Sequence, residues 1–335
     1  MTAGCADAVE ALDREREPTS SGLGLECEPE TEVLAPGEPK REPPDRYIGR
    51  FAPSPTGPLH LGSLVAALGS YLDARHNKGR WLLRMEDLDT TRVVPGCSDD
   101  ILRTLELFGL EWDGDVEYQS RRTQRYVATV ETLKSTHLTF ECSCSRRESA
   151  NTGDTGYPGT CRAGPTKAGP TATRFRVADA SVEFADLVQG VCSFDLRSLG
   201  DPVVRRRDGV FSYQLAVVVD DAQQGITDVI RGGDLLESTP WQIALQRAVG
   251  LTTPRYGHVP LVVEPQRGKL SKSRHSLAIG RSAPAPQLIA ALQLLQHPPP
   301  DELTHETPAK LLAWATNSWS PQRLRGLRNV IFHTK

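Results

Sequence analysis

Phosphate chemistry is the first possibility raised by the residue types. Arg50-Phe51-Ala52-Pro53-Ser54-Pro55-Thr56-Gly57-Pro58-Leu59-His60-Leu61-Gly62-Ser63 sets a Pro/Gly break between a strand-like run and a helical one. A strand end, a turn and a helix N-terminus leave backbone N–H groups around a concavity, which attracts phosphate. Gly62 lets a nucleotide approach the backbone, and His60 adds a donor nearby. Far downstream, Lys269-Leu270-Ser271-Lys272-Ser273 follows Gly268. Its two lysines can swing ammonium groups onto a triphosphate while the loop stays mobile. No Walker A pattern occurs in the chain, so the P-loop route to phosphate is excluded. A third group is Cys142-Ser143-Cys144 followed by Cys161, which can close three sides of a tetrahedral zinc site. His137 and Tyr157 are both candidates for the fourth position. Each group alone also has a bland reading: a Pro-rich turn, a basic surface loop, three unpaired thiols. Cys5, Cys27, Cys97 and Cys192 have no partners in register, and Arg205-Arg206-Arg207 reads as a solvated charge run beside a turn.

The first two groups, in this order, resemble the paired "HIGH" and "KMSKS" signatures of class I aminoacyl-tRNA synthetases. Ser63 replaces the final histidine of the first signature, a departure also typical of the glutamate branch. The flanking runs resemble that branch too: Gly49 to Gly57, Arg84-Met85-Glu86-Asp87-Leu88-Asp89, Phe211 to Asp221, and Val229-Ile230-Arg231-Gly232-Gly233-Asp234-Leu235-Leu236. The resemblance implies a Rossmann-type parallel sheet that activates glutamate with ATP and Mg²⁺. It places His60, Lys269 and Lys272 on the phosphates, with Gly62 and Ser271 also at ATP. It places glutamate against Arg50, Phe51, Ala52, Pro53, Ser54, Glu86, Tyr213 and Arg231. That set suits the ligand, because a buried carboxylate needs guanidinium partners and an α-ammonium needs an acid. The family's zinc-bearing insertion has a Cys-x-Cys…Tyr-x-x-x-Cys pattern, so Cys142, Cys144, Tyr157 and Cys161 are its implied ligands, with Tyr157 preferred over His137.

A complete glutamyl-tRNA synthetase carries a large helical anticodon-binding region after the second signature, whereas 62 residues follow Ser273 here. His60-Leu61-Gly62-Ser63-Leu64-Val65-Ala66-Ala67-Leu68 resembles the shorter group that glutamylates queuosine at the wobble position of tRNA(Asp). The resemblance spans roughly residues 46–330. It implies glutamate activation without tRNA, then transfer to the cyclopentene diol of queuosine. A truncated synthetase charging the 3′ end of tRNA(Glu), or a non-catalytic tRNA-binding paralogue, are the rival readings.

These residues need elements to hold them. Tyr47–Ala52 reads as a strand, and 59–72 has helical periodicity with Leu61, Leu64, Val65, Leu68 and Leu72 on one face. Trp81–Met85 is a second strand. Ser98 and Ser120 are read as caps of helices ending near Phe108 and Lys134. Strand–helix alternation argues for a parallel sheet. The Gly-, Thr- and Cys-rich stretch from 141 to 171 looks inserted. Ala172–Val177 returns to a strand pattern, and Asp208-Gly209 turns a hairpin between Val203–Arg207 and Val210–Phe211. Gln214–Val219 is a buried apolar run, and Thr227–Arg231 reads as a strand. Ser238 is read as the cap of a helix reaching Val249. Val259–Glu264 is expected as the last strand, before helices at Ala285–Gln296 and Ala309–Asn317. The expected division is an acidic tail at 1–45, catalytic halves at 46–135 and 201–282, the insertion at 136–200, and C-terminal helices at 283–335.

Composition sets the outer bounds. The chain has 335 residues, 38% hydrophobic and 24% charged, which fits a globular α/β protein and excludes collagenous and coiled-coil classes. Residues 1–45 hold 12 acidic and 4 basic side chains, six prolines and no aromatic residue, so the tail is expected to be disordered. The remainder carries a balance of +5, which permits a nucleic-acid partner. No apolar run approaches the ~20 residues of a membrane span, and no signal-peptide pattern opens the chain. Seven cysteines in a chain this long suit a reducing cytoplasm. A monomer is expected.

Overall fold

The computed structural model describes residues 9–10, 26–28, 47–150, 156–264, 268–269, 279–280 and 282–332. Apolar residues dominate Ile48–Phe51 and Arg80–Met85, which pair in parallel from Ile48↔Arg80 to Phe51↔Leu83. Arg80–Met85 pairs in turn with Glu117–Tyr118. The second half supplies Asp228–Gly232 and Arg255–Val259, again in parallel. The two halves meet where the Thr227 N–H donates to the Ile48 carbonyl at 2.9 Å. Near-continuous apolar strands of this kind suit a sheet covered on both faces.

One face is covered by the helix Leu61–His76, on which Leu61, Leu64, Val65, Leu68 and Leu72 are all buried as the periodicity predicts. The helices Pro284–Leu294 and Pro308–Ser318 share its core through Leu288, Leu292, Leu311 and Ala315. The other face carries Thr123–Ser135, Tyr213–Gln223 and Thr239–Ala248, packed around Tyr126, Val217 and Ile243. The buried run at 214–219 is therefore helix. Its hydroxyl cap is Ser212, whose Oγ accepts from the Leu215 N–H.

Two expected caps fall elsewhere, and a third keeps the N-cap position without the hydroxyl bond. The helix Cys97–Leu107 starts from Gly96 in a left-handed conformation, so Ser98 lies inside it. Ser120 sits in a short 3-10 turn, where its Oγ donates to Asp87 at 2.6 Å. Ser238 occupies the N-cap position without making a side-chain cap, and its Oγ instead accepts from the Gln214 amide. In each case a tertiary partner or a glycine turn outcompetes the local cap. The expected Val259–Glu264 strand divides at Pro260 into Arg255–Val259 and Leu261–Glu264, because proline has no N–H for the ladder.

The insertion builds a small antiparallel sheet from Thr139–Cys142, Ala172–Phe175 and Val203–Arg205. This pairing crosses the boundary expected at residue 200. The hairpin at Asp208-Gly209 forms as read, with Gly209 at φ +87° and the Arg206 N–H donating to the Val210 carbonyl. In sequence between Ala172–Phe175 and Val203–Arg205 comes another hairpin, Ser181–Asp186 with Gly190–Asp195, which joins the main sheet at Tyr256↔Asp186. Leu261–Glu264 lies parallel to Asn329–Phe332, a pairing the sequence reading did not include. Within the tail, Val9–Glu10 pairs with Phe332 and Ile331, and Glu26–Glu28 pairs with Val191–Ser193. These five residues depart from a tail expected to hold no structure. Among the described residues, no helix is long and apolar enough to cross a membrane.

Candidate active site and metal centre

The strand ends and the N-terminus of the Leu61–His76 helix open onto a cavity of about 1040 Å³. Arg50, Phe51, Ala52, Pro53, Ser54, Glu86, Tyr213 and Arg231 line it, as do His60 and Gly62. All the residues assigned to glutamate, and both ATP-assigned residues of the first signature, thus share one space. His60 is the helix N-cap. Its Nδ1 accepts the Ser63 N–H at 3.2 Å, so in the neutral ring the proton sits on Nε2. Gly62 makes room for that ring, because a Cβ there would lie 3.1 Å from His60 Cε1. Lys269 lies in a two-residue strand, Gly268–Lys269, antiparallel to Val263–Glu264. Leu261 and Val262 of the partner strand line the cavity. Ser271 and Lys272 lie outside the described residues.

Beneath the cavity floor is an ion-pair network that the sequence reading missed. Arg50 donates to both Asp221 oxygens at 3.1 and 3.3 Å, and fully buried Arg84 donates to Asp221 at 2.6 Å. The neighbouring Asp220 accepts from Arg122, Gln119 and Tyr126 at 2.6–2.8 Å. Burial alone would raise the Asp221 carboxyl, but Arg50 and Arg84 outweigh it and hold it below the usual range. Glu86 balances the other way. Loss of water pushes it up to about 7 despite Arg84 and Arg50, and Asp221 and Asp220 add to the rise. A lone arginine in the apolar run Trp81–Met85 was the signal, since a buried guanidinium demands carboxylates.

Arg231 is bound on three sides. Its Nε donates to His258 Nε2 at 3.0 Å, one terminal nitrogen to the Tyr213 hydroxyl at 3.1 Å, and the other to Thr239 Oγ1 at 2.8 Å. Tyr213 is raised by burial, which outweighs the pull of the Arg231 charge.

The arginine run is more than a solvated face. Arg206 lines the cavity and donates to Asp89 at 2.6 Å. Arg207 donates to the carbonyls of Ser143 and Cys144. Arg205 places its guanidinium over the Phe211 ring, 5.5 Å from the centroid. The hairpin turns the three side chains toward different neighbours.

In the insertion, the sulfurs of Cys142, Cys144 and Cys161 all lie within 4.8 Å of one another. The Tyr157 hydroxyl joins them, 3.4 Å from Cys142 Sγ and 3.9 Å from Cys144 Sγ, and accepts the Cys161 N–H at 2.8 Å. Sulfurs on a tetrahedral zinc with bonds of about 2.3 Å stand roughly 3.8 Å apart. Cys144 and Cys161, at 3.5 Å, are close to that spacing. The donor set therefore fits zinc. His137 is exposed, in a left-handed turn at φ +57°, and lies outside this cluster. Burial raises both Cys144, to about 11, and Cys161, but N–H donors from Ser143 and Thr166 and the Tyr157 hydroxyl bring Cys161 down to about 5. Gly200 backs the cage at φ +70°, where a Cβ would meet the Tyr157 backbone at 2.5 Å. Of the cysteines set aside earlier, buried Cys97 contacts the Gly57 carbonyl at 2.9 Å, and Cys192 is buried in the core of the second sheet face.

Comparison with known proteins agrees with this geometry. The family model for the catalytic domain of class I tRNA synthetases (E and Q) matches residues 48–284. The glutamyl-Q tRNA(Asp) synthetase of Ectopseudomonas mendocina is 51% identical over 285 residues, covering 85% of this chain and 97% of that protein. Its counterpart from Geobacter sulfurreducens is 51% identical, covering 84% and 94%. The glutamate–tRNA synthetase structure from Elizabethkingia anophelis superposes with a TM-score of 0.72 at 26% identity, covering 86% of this chain and 68% of that one. With the parallel sheet, the shared cavity and these likenesses together, the chain belongs to the class I tRNA synthetase family of the glutamate and glutamine branch, and within it to the glutamyl-Q tRNA(Asp) synthetase family.

Proposed function

We propose that this protein activates glutamate with MgATP in the absence of tRNA and passes the glutamyl group to queuosine in tRNA(Asp). The observation that carries the reading is the single cavity in which the His60 helix terminus faces Arg50, Glu86, Tyr213 and Arg231. The relatives named glutamyl-Q tRNA(Asp) synthetase support queuosine in tRNA(Asp) as the acceptor.

The γ-carboxylate of glutamate meets the guanidinium groups of Arg50 and Arg231 and the Tyr213 hydroxyl, while Glu86 takes the α-ammonium. The α-carboxylate then attacks the α-phosphate of ATP in line, and pyrophosphate leaves. The protein's task is positioning and stabilisation of charge at phosphorus. His60 Nε2–H, Lys269 and Lys272 serve the phosphates, with Gly62 and Ser271 at the nucleotide. The backbone of Phe51–Ser54 forms the wall against which glutamate lies. A hydroxyl of the queuosine diol attacks the mixed anhydride, releasing AMP. Incubation with labelled glutamate, ATP and tRNA, with and without queuosine, tests the whole scheme. Label should appear only on queuosine-containing tRNA, and glutamate-dependent pyrophosphate exchange should proceed without tRNA. Exchange that requires tRNA(Glu), or label at the 3′ end, overturns the reading in favour of an ordinary charging synthetase.

Glu86 gives this scheme a pH signature. Its folded-state value is raised, so in the free protein it is protonated below about 7 and cannot hold an ammonium group. Hence kcat/KM for glutamate should climb with pH through that region, and Glu86→Gln should remove the rising limb along with most activity. A profile that stays level between about pH 6 and 8 in the parent protein takes Glu86 out of this role.

Cys142, Cys144, Tyr157 and Cys161 would hold a structural zinc ion, which supplies a fixed crossing point for the insertion loop. The cluster Phe140, Cys142, Tyr157 and Cys161 is too small a core to fix it alone. Chelation or Cys144→Ser should depress glutamyl transfer while largely sparing ATP-dependent activation. Purified protein should contain about one zinc per chain. A metal content near zero with freely titrating thiols sinks the assignment.

A further inference from the structure

We propose that Asp186 and His258 form a buried polarity lock that holds the Arg231 guanidinium in its glutamate-binding pose, making both of them positioning residues. The inference rests on Arg231 being a glutamate ligand, as argued above.

Asp186 and His258 are both fully buried, and His258 Nδ1 lies 2.6 Å from Asp186 Oδ2. A carboxylate facing a ring lone pair at that distance would be strongly repulsive, so Nδ1 carries the proton. Nε2 must then accept, and the Arg231 Nε–H points at it from 3.0 Å. The opposite tautomer would set two donors against each other there, and the doubly protonated ring would add a second cation beside the guanidinium. Burial lowers the affinity of His258 for a second proton, the Asp186 hydrogen bond opposes that, and the Arg231 charge lowers it again. The neutral ring with its proton on Nδ1 is the form that satisfies every neighbour.

Asp186 is itself fixed. Its Oδ1 accepts the N–H groups of Val188, Gln189 and His258 at 2.9–3.1 Å. Only Oδ2 is left for the ring. The direction of hydrogen bonding therefore runs without freedom from three backbone amides to the cavity wall. Thr239 Oγ1 braces the far side, 2.8 Å from an Arg231 terminal nitrogen and 3.1 Å from His258 Nε2. Arg231 is thereby left with the Tyr213-bonded nitrogen at the cavity, the end that a ligand carboxylate can meet.

Asp186→Asn tests the lock with little change of shape. The amide oxygen must serve the three backbone N–H groups, so the NH₂ faces Nδ1 and forces the ring proton onto Nε2, against Arg231. The expected result is a rise of about tenfold or more in KM for glutamate, with KM for ATP changed less than about twofold. In the parent protein, ¹⁵N NMR of the His258 ring should show protonated Nδ1 and bare Nε2, and in Asp186→Asn the reverse. An Nε2–H tautomer in the parent, or an unchanged glutamate KM in folded Asp186→Asn, overturns the proposal. So does an equal rise in both KM values, which would mark general loosening. Arg231→Gln separates the two levels. If it leaves glutamate KM unaltered, the glutamate reading of Arg231 fails. If it raises KM where Asp186→Asn does not, only the lock fails.

Discussion

Asp221→Leu should cost the fold about 3–5 kcal/mol, the scale on which half of a buried ion pair is missed. Removing this carboxylate takes the charged partner from two buried guanidinium groups, Arg50 at 3% exposure and Arg84 at 0%, and leaves Arg84 only the uncharged Gln224 carbonyl as a close acceptor. Asp220 cannot take over. Its oxygens already accept from Arg122, Gln119 and Tyr126, and the nearest Arg84 nitrogen is 3.9 Å away. For a domain whose net stability is about 5–15 kcal/mol, such a loss lowers the urea midpoint sharply. Glutamate binding should weaken with it, because Arg50 loses the partner that aims it. The pH dependence has a definite sign. The folded-state Asp221 carboxyl lies below its ordinary 3.8, so its contribution is complete at neutral pH and fades as acid passes through the lowered value. Urea unfolding of parent and variant at neutral pH measures the effect. A midpoint shift within error would mean that Arg50 and Arg84 are solvated or neutralised some other way.

His60→Asn should slow glutamate activation about 100-fold or more while leaving the melting temperature nearly unchanged. The two halves of that expectation come from the two ring nitrogens. Nδ1 caps the Leu61–His76 helix by accepting the Ser63 N–H, and asparagine can do the same with Oδ1. Nε2–H, on the far edge of the ring, has no equivalent in asparagine. His60→Ala removes both and should add a loss of about 1 kcal/mol in stability. The rate of glutamate-dependent pyrophosphate exchange, with melting curves in parallel, reads both quantities. Full activity in His60→Asn would show that the ring contributes only the cap.

The site was legible in the sequence where its residues fall within local runs. The helix face from Leu61 to Leu72, the hairpin at Asp208-Gly209 and the Cys142, Cys144 and Cys161 triplet all depend on spacing along one stretch of chain, whereas Tyr157 is chosen over His137 only through the family resemblance. Ser120 lies outside the expected cap, and Ser238 keeps the N-cap position but not the cap bond, for the complementary reason: their hydroxyl partners Asp87 and Gln214 are set by tertiary packing. The same holds for the Arg50–Asp221–Arg84 network and for Asp186–His258, whose members are 72 residues apart. Arg50, Arg84, Asp186 and His258 show in sequence only as polar residues within strands, and Asp221 only as half of an acidic pair at the end of the apolar helix Tyr213–Gln223. Arg206 and Arg207 look alike in a row, and only the hairpin reveals that one turns to the cavity and the other to the cysteine loop.

That divergence of two adjacent side chains bears on how the protein can be cut and recombined. Arg207 holds the carbonyls of Ser143 and Cys144, and Arg206, one residue away, holds Asp89 at the rim of the cavity. A chimera that imports a foreign cysteine loop between residues 138 and 177 would set it against a native Arg207 built for another backbone. One that also exchanges the strand Val203–Arg205 and its turn would face Asp89 with an untested residue. The natural unit of exchange is therefore the block from Thr139 to Phe211 together with residue 89, so recombination libraries drawn at the edges of the cysteine loop alone should lose their active members.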